Sequence, residues 1–311
     1  MTSTAATPPA KPQSYRTNVE IDWCPGCGDF GILNALVLAL QEMKIPNEDV
    51  VLTGGIGCSS KIPHYVNVNT LHTLHGRSLV QAQAVKMANP RLEVISASGD
   101  GDGLGIGSAH FVAAGRRNVD LTYILFNNGV YGLTKGQASP TLPYGEMPKS
   151  IETENLKFPV NPLFLGLASG FTFVARSYSY NIKHLKETLI RAMKHRGLAL
   201  VDVMQPCVTY NNINTKEFYD PRLYDIEKEG WNPVASNEEE YKQKLPQAVA
   251  RSMEWGDRIP MGVFIDYQTE TYDQKLQKLV PDYGKKNYVM EPIDSAGKPL
   301  NDITKLMESF C

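Results

Sequence analysis

The chain has 311 residues, enough to bury one large core or two modest ones, and its 42% hydrophobic and 21% charged residues exclude a largely disordered protein. Its 31 basic and 33 acidic side chains give a formal charge of −2, so charge balance supplies no pull towards nucleic acid or an acidic membrane. Five cysteines, with no secretory pattern at the start, point to a cytoplasmic chain whose thiols serve metal binding, catalysis or packing instead of a disulfide framework.

The first dozen residues are rich in Ala, Thr and Pro, and a disordered arm is predicted over 1–14. Trp23-Cys24-Pro25-Gly26-Cys27-Gly28-Asp29 follows, a C-x-x-C knuckle whose glycines let two thiolates converge while nearby N–H groups face the sulfurs. Alone it leaves open half a zinc site, a redox pair, half an iron–sulfur site or a structural cysteine pair. The apolar helix predicted over 30–43 is too short to span a bilayer and carries Asn34. A strand over 50–55 exits into Gly54-Gly55-Ile56-Gly57-Cys58-Ser59-Ser60-Lys61. Cys58 therefore stands where a strand opens into a loop, on the edge where open α/β sheets bind ligands. Leu74-His75-Gly76-Arg77 then leads into a helix over 78–88. An arginine there opposes the helix dipole and is tolerated if it faces an anion, whereas His72 and His75 read more simply as hydrogen-bonded than as catalytic.

The stretch 99–131, GDGDGLGIGSAHFVAAGRRNVDLTYILFNNGVY, carries the strongest signal. A β-branched strand over 92–97 ends in alternating glycines, which permit sharp turning and close approach, and a helix over 108–117 is expected to aim its free N–H groups at an anion. Asp100 beside that seat suits a hard divalent cation that arrives with phosphate oxygens attached. A second strand, 121–126, ends in Asn127-Asn128-Gly129, and 28 positions separate Asp100 from Asn128. One helix and one strand fill that distance, so both side chains return to the same carboxyl edge of a parallel sheet. There the Asn128 amide oxygen and a main-chain carbonyl, that of Val130, can complete an oxygen shell for Mg²⁺.

Residues 132–141 read as a loop in which Lys135 and Gln137 face either the reacting centre or solvent, and 143–160 as polar linker. A small-residue helix near 162–169, a strand over 171–177 and an amphipathic helix over 182–194 follow, the last with Leu185, Leu189 and Met193 on one face. A buried strand over 199–204 exits into Gln205-Pro206-Cys207, another cysteine at a strand's carboxyl end. Beyond Val208 the pattern loosens, with a charged helix over 238–255 and a short strand over 261–265. The α/β domain is placed at 15–219, and 220–311 as an extension that packs on it or wraps over a partner subunit without forming a core of its own. Cys311 has no neighbouring ligand in sequence and reads as free.

The words WCPGCG, GIGCSSKIPH, LHGR, GDGDGLGIG, NNGVYGLTKGQASPT and QPC together resemble the β subunit of the 2-oxoacid:ferredoxin oxidoreductases, in the two-subunit form without a built-in ferredoxin domain. The resemblance implies a thiamine diphosphate-binding α/β fold, mostly parallel, with helices on both faces and a C-terminal extension. It implies that Cys24, Cys27, Cys58 and Cys207 hold one 4Fe-4S cluster and that Asp100, Asn128 and the Val130 carbonyl bind Mg²⁺. His75, Gly99, Gly101, Asp102 and Gly132 would border the thiamine diphosphate, Lys61 would meet the substrate carboxylate, and Lys135 would lie over the thiazolium. The activity implied is coenzyme A-dependent oxidative decarboxylation of pyruvate or 2-oxoglutarate to an acyl-CoA and CO₂, with electrons leaving to ferredoxin. The carboxylate that activates the aminopyrimidine ring has no convincing candidate on the matching edge, and the resemblance implies that an α subunit supplies it. A non-redox thiamine decarboxylase or synthase, and a zinc-binding structural protein, are the two competing readings; the first has no use for four thiols and the second none for the Asp100 and Asn128 pair.

Overall fold

Short apolar runs alternating with helical stretches assemble into one doubly wound layer, because a strand buried on both faces needs a helix above and below it. The computed structural model describes residues 14–285, 294–300 and 303–310; the predicted arm, Ser14 apart, and Cys311 lie outside the described residues. In chain order the strands as far as Tyr267 are β1 (Val50–Gly54), β2 (Asn69–His72), β3 (Glu93–Gly99), β4 (Leu121–Asn127), β5 (Val130–Tyr131), β6 (Gln137–Ala138), β7 (Phe173–Tyr178), β8 (Leu198–Met204), β9 (Leu223–Asp225), β10 (Val234–Ala235) and β11 (Ile259–Tyr267). β5 and β6 form a separate hairpin. The main sheet runs β10-β11-β7-β8-β4-β3-β1-β2, with β9 also on β11. From β2 to β7 all neighbours are parallel; β11 joins β7 antiparallel.

The helices α1 (Asp29–Met43), α2 (Ser78–Ala88), α3 (Ser108–Arg117), α4 (Pro162–Ser169) and α5 (Ile182–Lys194) divide between the two faces. Strand residues alternate accordingly, since successive side chains point to opposite sides. Leu52, Ile95, Ile124, Phe126 and Val201 pack against Leu33, Leu36 and Leu40 of α1 and Leu185 and Leu189 of α5. Val94, Tyr123, Leu125 and Leu200 pack against Leu79, Phe111, Leu163 and Leu167 from α2, α3 and α4. Each such fully buried side chain contributes about 1.5–3 kcal/mol. Asn161 and Asn181 start α4 and α5 by accepting main-chain N–H bonds, and Gly170, at φ 91°, ends α4 in the left-handed conformation.

Beyond Val208 the chain packs on the domain: Ile259, Val263, Phe264 and Ile265 of β11 are fully buried, and Ala248, Ile226 and Trp231 pack in one cluster with Phe264 and Ile265. β11 was legible as a strand, but its antiparallel seat on β7 depends on pairing across more than 80 positions, which local pattern does not show.

Glu93, at the amino end of β3, is pushed by burial from its ordinary 4.5 up to about 7; Lys86 draws it down and Asp120 draws it up. A carboxyl raised in the folded state adds stability below pH 4.5, and that contribution is lost as pH rises through about 7. Glu93→Gln is therefore expected to gain on the order of 1–3 kcal/mol at pH 8 and little at pH 4.5. Thermal unfolding at the two pH values checks this, and an equal effect at both would refute it.

Candidate active site at the carboxyl edge of the sheet

β1, β3, β4 and β8 lie side by side and parallel, so the loops leaving them emerge on one edge. Those loops carry Cys58, Asp100, Asn128 and Cys207. After β3 the chain does not wander before α3. Asp100 caps a π-helical turn, Gly101–Ile106, that continues through Gly107 into α3. The free N–H groups expected at Ser108 are thus relocated to the turn that opens at Asp100. None of the alternating glycines has positive φ. They make room instead: a Cβ on Gly101 or Gly105 would strike Tyr131, and one on Gly103 would strike the Tyr123 hydroxyl.

Asp100 is fully buried. Its Oδ2 accepts from Gly129 N at 3.0 Å, from Ser139 Oγ at 2.5 Å and from Thr141 Oγ1. Ser139 opens a turn closed by Leu142 N donating to Ser139 O at 3.2 Å, and that turn brings the Thr141 hydroxyl back beside that of Ser139, so both address the same carboxylate oxygen. Asp100 Oδ1, equally buried, has no donor. Burial pushes this carboxyl up, while the Ser139, Thr141 and Gly129 donors oppose that. Asn128 Oδ1 accepts from Val130 N at 3.0 Å, which leaves its second lone pair available. The neighbouring Asn127 turns elsewhere, donating to Asp202 Oδ1 at 3.0 Å, whose other oxygen pairs with buried Arg176 at 2.9 Å. The orphaned Asp100 oxygen, the Asn128 amide oxygen and the adjacent main chain form a donor set that fits a hard divalent cation.

Asp102, also buried, accepts through Oδ1 from Ile56 N at 3.1 Å and Gly76 N at 2.7 Å; His75 Nδ1 lies 2.7 Å from the same oxygen without hydrogen-bond geometry. It fastens the loops after β1 and β2 to the glycine-rich turn. Gly55 must lack a side chain because a Cβ would strike Asp102.

The knuckle is fastened to the same edge. Cys27 N donates to Cys24 O at 3.0 Å, closing the turn, and Gly28 N donates to Pro206 O at 3.2 Å. Trp23 Nε1 donates to Cys58 O at 2.8 Å. A Cβ on Gly132 would lie 3.5 Å from Cys58 Sγ and 4.0 Å from Cys207 Sγ, so the β5–β6 hairpin leads from the Asp100 site directly to the thiols. Cys24, Cys27, Cys58 and Cys207 are all free. Burial raises Cys27 and Cys207 and pushes Cys58 up to about 11, with the neighbouring thiols and Asp29 adding to it. Asp29 itself is pushed up to about 7 by burial. Crowded thiols of this kind ionise readily only around a cationic centre. Among the described residues, no group of His, Cys, Asp and Glu side chains converges as closely as a single metal ion requires.

Lys61 is held by Asp22, Nζ to Oδ2 at 2.6 Å, and Asp22 also accepts from Tyr65 Oη at 2.6 Å. These two partners hold the Asp22 carboxyl below its usual range. Lys135 is exposed at the hairpin tip with φ 80°. Neither lysine is hydrogen-bonded to Asp100 or Asn128. Sequence reasoning passed over Ser139, Thr141 and Gln205, although all three lie within the quoted words; Gln205 accepts from Asn128 Nδ2 at 2.7 Å and donates to Cys27 Sγ at 3.4 Å.

The thiamine pyrophosphate enzyme, C-terminal TPP binding domain family matches residues 55–203, and the family describing the C-terminal part of the pyruvate ferredoxin oxidoreductase beta chain matches residues 207–280. A 2-oxoacid:ferredoxin oxidoreductase subunit beta from Saccharolobus solfataricus is 52% identical, over 92% of this chain and 95% of that protein. The 2-oxoacid:ferredoxin oxidoreductase 1, subunit beta, from Aeropyrum pernix is 50% identical over 96% of each. The solved structure of 2-oxoglutarate:ferredoxin oxidoreductase from Magnetococcus marinus, with 2-oxoglutarate, coenzyme A and succinyl-CoA bound, superposes with a TM-score of 0.83 at 35% identity, covering 97% of this chain and 96% of that one. With its parallel sheet, its thiamine pyrophosphate-binding domain and these identities along nearly its whole length, the chain belongs to the β subunits of the 2-oxoacid:ferredoxin oxidoreductases.

Proposed function

We propose that this β subunit, assembled with an α subunit, carries out coenzyme A-dependent oxidative decarboxylation of pyruvate or 2-oxoglutarate, with thiamine diphosphate, Mg²⁺ and one 4Fe-4S cluster bound at the edge described above and ferredoxin as acceptor. The observation that carries this reading is the bare Asp100 Oδ1 at one end of a short hairpin on which a Cβ at Gly132 would lie within 4.0 Å of two cysteine sulfurs. A non-redox thiamine enzyme needs only the first feature, and a zinc protein only the second.

In this reading Asp100, Asn128 and the Val130 carbonyl hold Mg²⁺ and through it the diphosphate. Gly99, Gly101, Asp102, His75 and Gly132 border the cofactor, and Cys24, Cys27, Cys58 and Cys207 hold the cluster. Bound thiamine supplies the electron sink that lets CO₂ leave. Lys61 exchanges Asp22 for the substrate carboxylate, which suits a compact cation in a solvent-exposed pair of small net worth. Lys135, exposed at the hairpin tip, turns over the thiazolium once the cofactor is bound. The carboxylate facing the aminopyrimidine ring comes from the α subunit.

Anaerobic co-expression with the α subunit tests this. The complex is expected to contain iron and sulfide in equal amounts and to reduce a viologen dye with pyruvate or 2-oxoglutarate only when coenzyme A is present. The β subunit alone is expected to retain iron but to have negligible turnover, lower by about 100-fold or more, for want of the missing acid–base group. Zinc in place of iron, or full activity from the isolated chain, would overturn the reading.

A further inference from the structure

Gln205 joins the two halves of the site. It is 1% exposed, and its own backbone N–H donates to Asn127 O at 2.9 Å. Asn128 Oδ1 accepts from the Val130 N–H, so Asn128 Nδ2 must be the group that donates, at 2.7 Å, to Gln205 Oε1. Gln205 Nε2 donates to the Pro206 carbonyl at 2.9 Å, which sets the orientation of the Gln205 amide independently. Its other N–H then points to Cys27 Sγ at 3.4 Å. The direction of the chain Asn128 → Gln205 → Cys27 therefore follows from groups whose donor or acceptor character is certain. Space has been cleared for it: a Cβ on Gly28 would stand 2.9 Å from Gln205 Cγ.

We propose that Gln205 is a positioning residue that couples cofactor binding to the electron affinity of the iron–sulfur centre. This rests on the reading of Asn128 as a Mg²⁺ ligand and Cys27 as a cluster ligand. A cation on Asn128 Oδ1 withdraws charge from the amide and makes Nδ2–H a stronger donor. Gln205 is polarised in turn, and its N–H bond to the Cys27 sulfur strengthens, because hydrogen bonds in a buried chain reinforce one another. A stronger donor to sulfur favours the reduced, more negative cluster. Linkage requires the converse: reduction of the cluster tightens Mg²⁺–thiamine diphosphate by the same factor.

The test is an EPR-monitored redox titration of the anaerobic αβ complex, stripped of thiamine diphosphate and then reloaded with Mg²⁺ and thiamine diphosphate. In the wild type, reloading is expected to raise the reduced-to-oxidised ratio at fixed poise about tenfold, equal to ~59 mV for a one-electron couple. Gln205→Met, which keeps length and removes both amide functions, should hold iron and lose most of that shift; Gln205→Glu, which can accept from Asn128 but not donate to sulfur when ionised, should do the same. A wild-type cluster indifferent to reloading overturns the proposal, as does a Gln205→Met cluster that shifts as far as the wild type. If the variants shed iron, the wild-type titration still decides. A wild-type complex without iron would instead overturn the underlying reading.

Discussion

Asp100→Asn is expected to lower 2-oxoacid oxidation about 10³-fold, the upper end of what removal of one preorganised electrostatic contact costs, while the fold and the iron content stay as they are. The reason lies in the asymmetry of the carboxylate. Gly129 N, Ser139 Oγ and Thr141 Oγ1 all address Oδ2, so an amide at this position must turn its oxygen towards them. Its NH₂ group then takes the place of Oδ1 and presents hydrogens where a cation would bind. The variant also removes a buried charge with one unpartnered oxygen, so its melting temperature should equal or exceed that of the wild type. Affinity for Mg²⁺ and thiamine diphosphate, followed by calorimetry, should fall by at least tenfold. Activity within tenfold of the wild type, with tight cofactor binding, would show that Asp100 holds no metal.

Cys58→Ser is expected to have the complementary effect: dye reduction falls about 10³-fold with the loss of iron, and thiamine diphosphate binding changes little. Cys58 is pushed up to about 11 by burial and by the carboxyl and thiols around it, so its ionisation depends on a metal centre. Serine is a hard ligand with a still more weakly acidic proton and makes a poor substitute on iron. Packing should survive, because Ser and Cys are nearly the same size and the Cys58 carbonyl keeps its bond from Trp23 Nε1. Iron content and thiamine affinity measured on the same preparation separate the two halves of the site. Unchanged iron would remove Cys58 from the ligand set.

Several features were legible because they are local. The apolar runs of β1, β3, β4 and β8, the glycine-rich exit from β3, the paired asparagines and the C-x-x-C knuckle each declare themselves within a few residues. The spacing of Asp100 and Asn128 also sufficed to put them on one edge, since a single strand–helix–strand unit can return only to the same end of a parallel sheet. What local pattern suggested wrongly was the purpose of the glycines, which clear space for Tyr131 and Tyr123 where turning freedom had been expected.

By itself, then, the order of residues determined the family, the parallel α/β class and which side chains compete for the chemistry. Only the tertiary structure decided which of them meet: that Lys61 is engaged by Asp22, that Asn127 serves the Arg176–Asp202 pair while Asn128 bonds the Val130 N–H, and that Gln205 spans from Asn128 to Cys27. The physical reason is the same in each case. A hydrogen bond between side chains 77 or 178 positions apart depends on how loops from different strands settle against one another, and nothing in the periodicity of either segment encodes that contact.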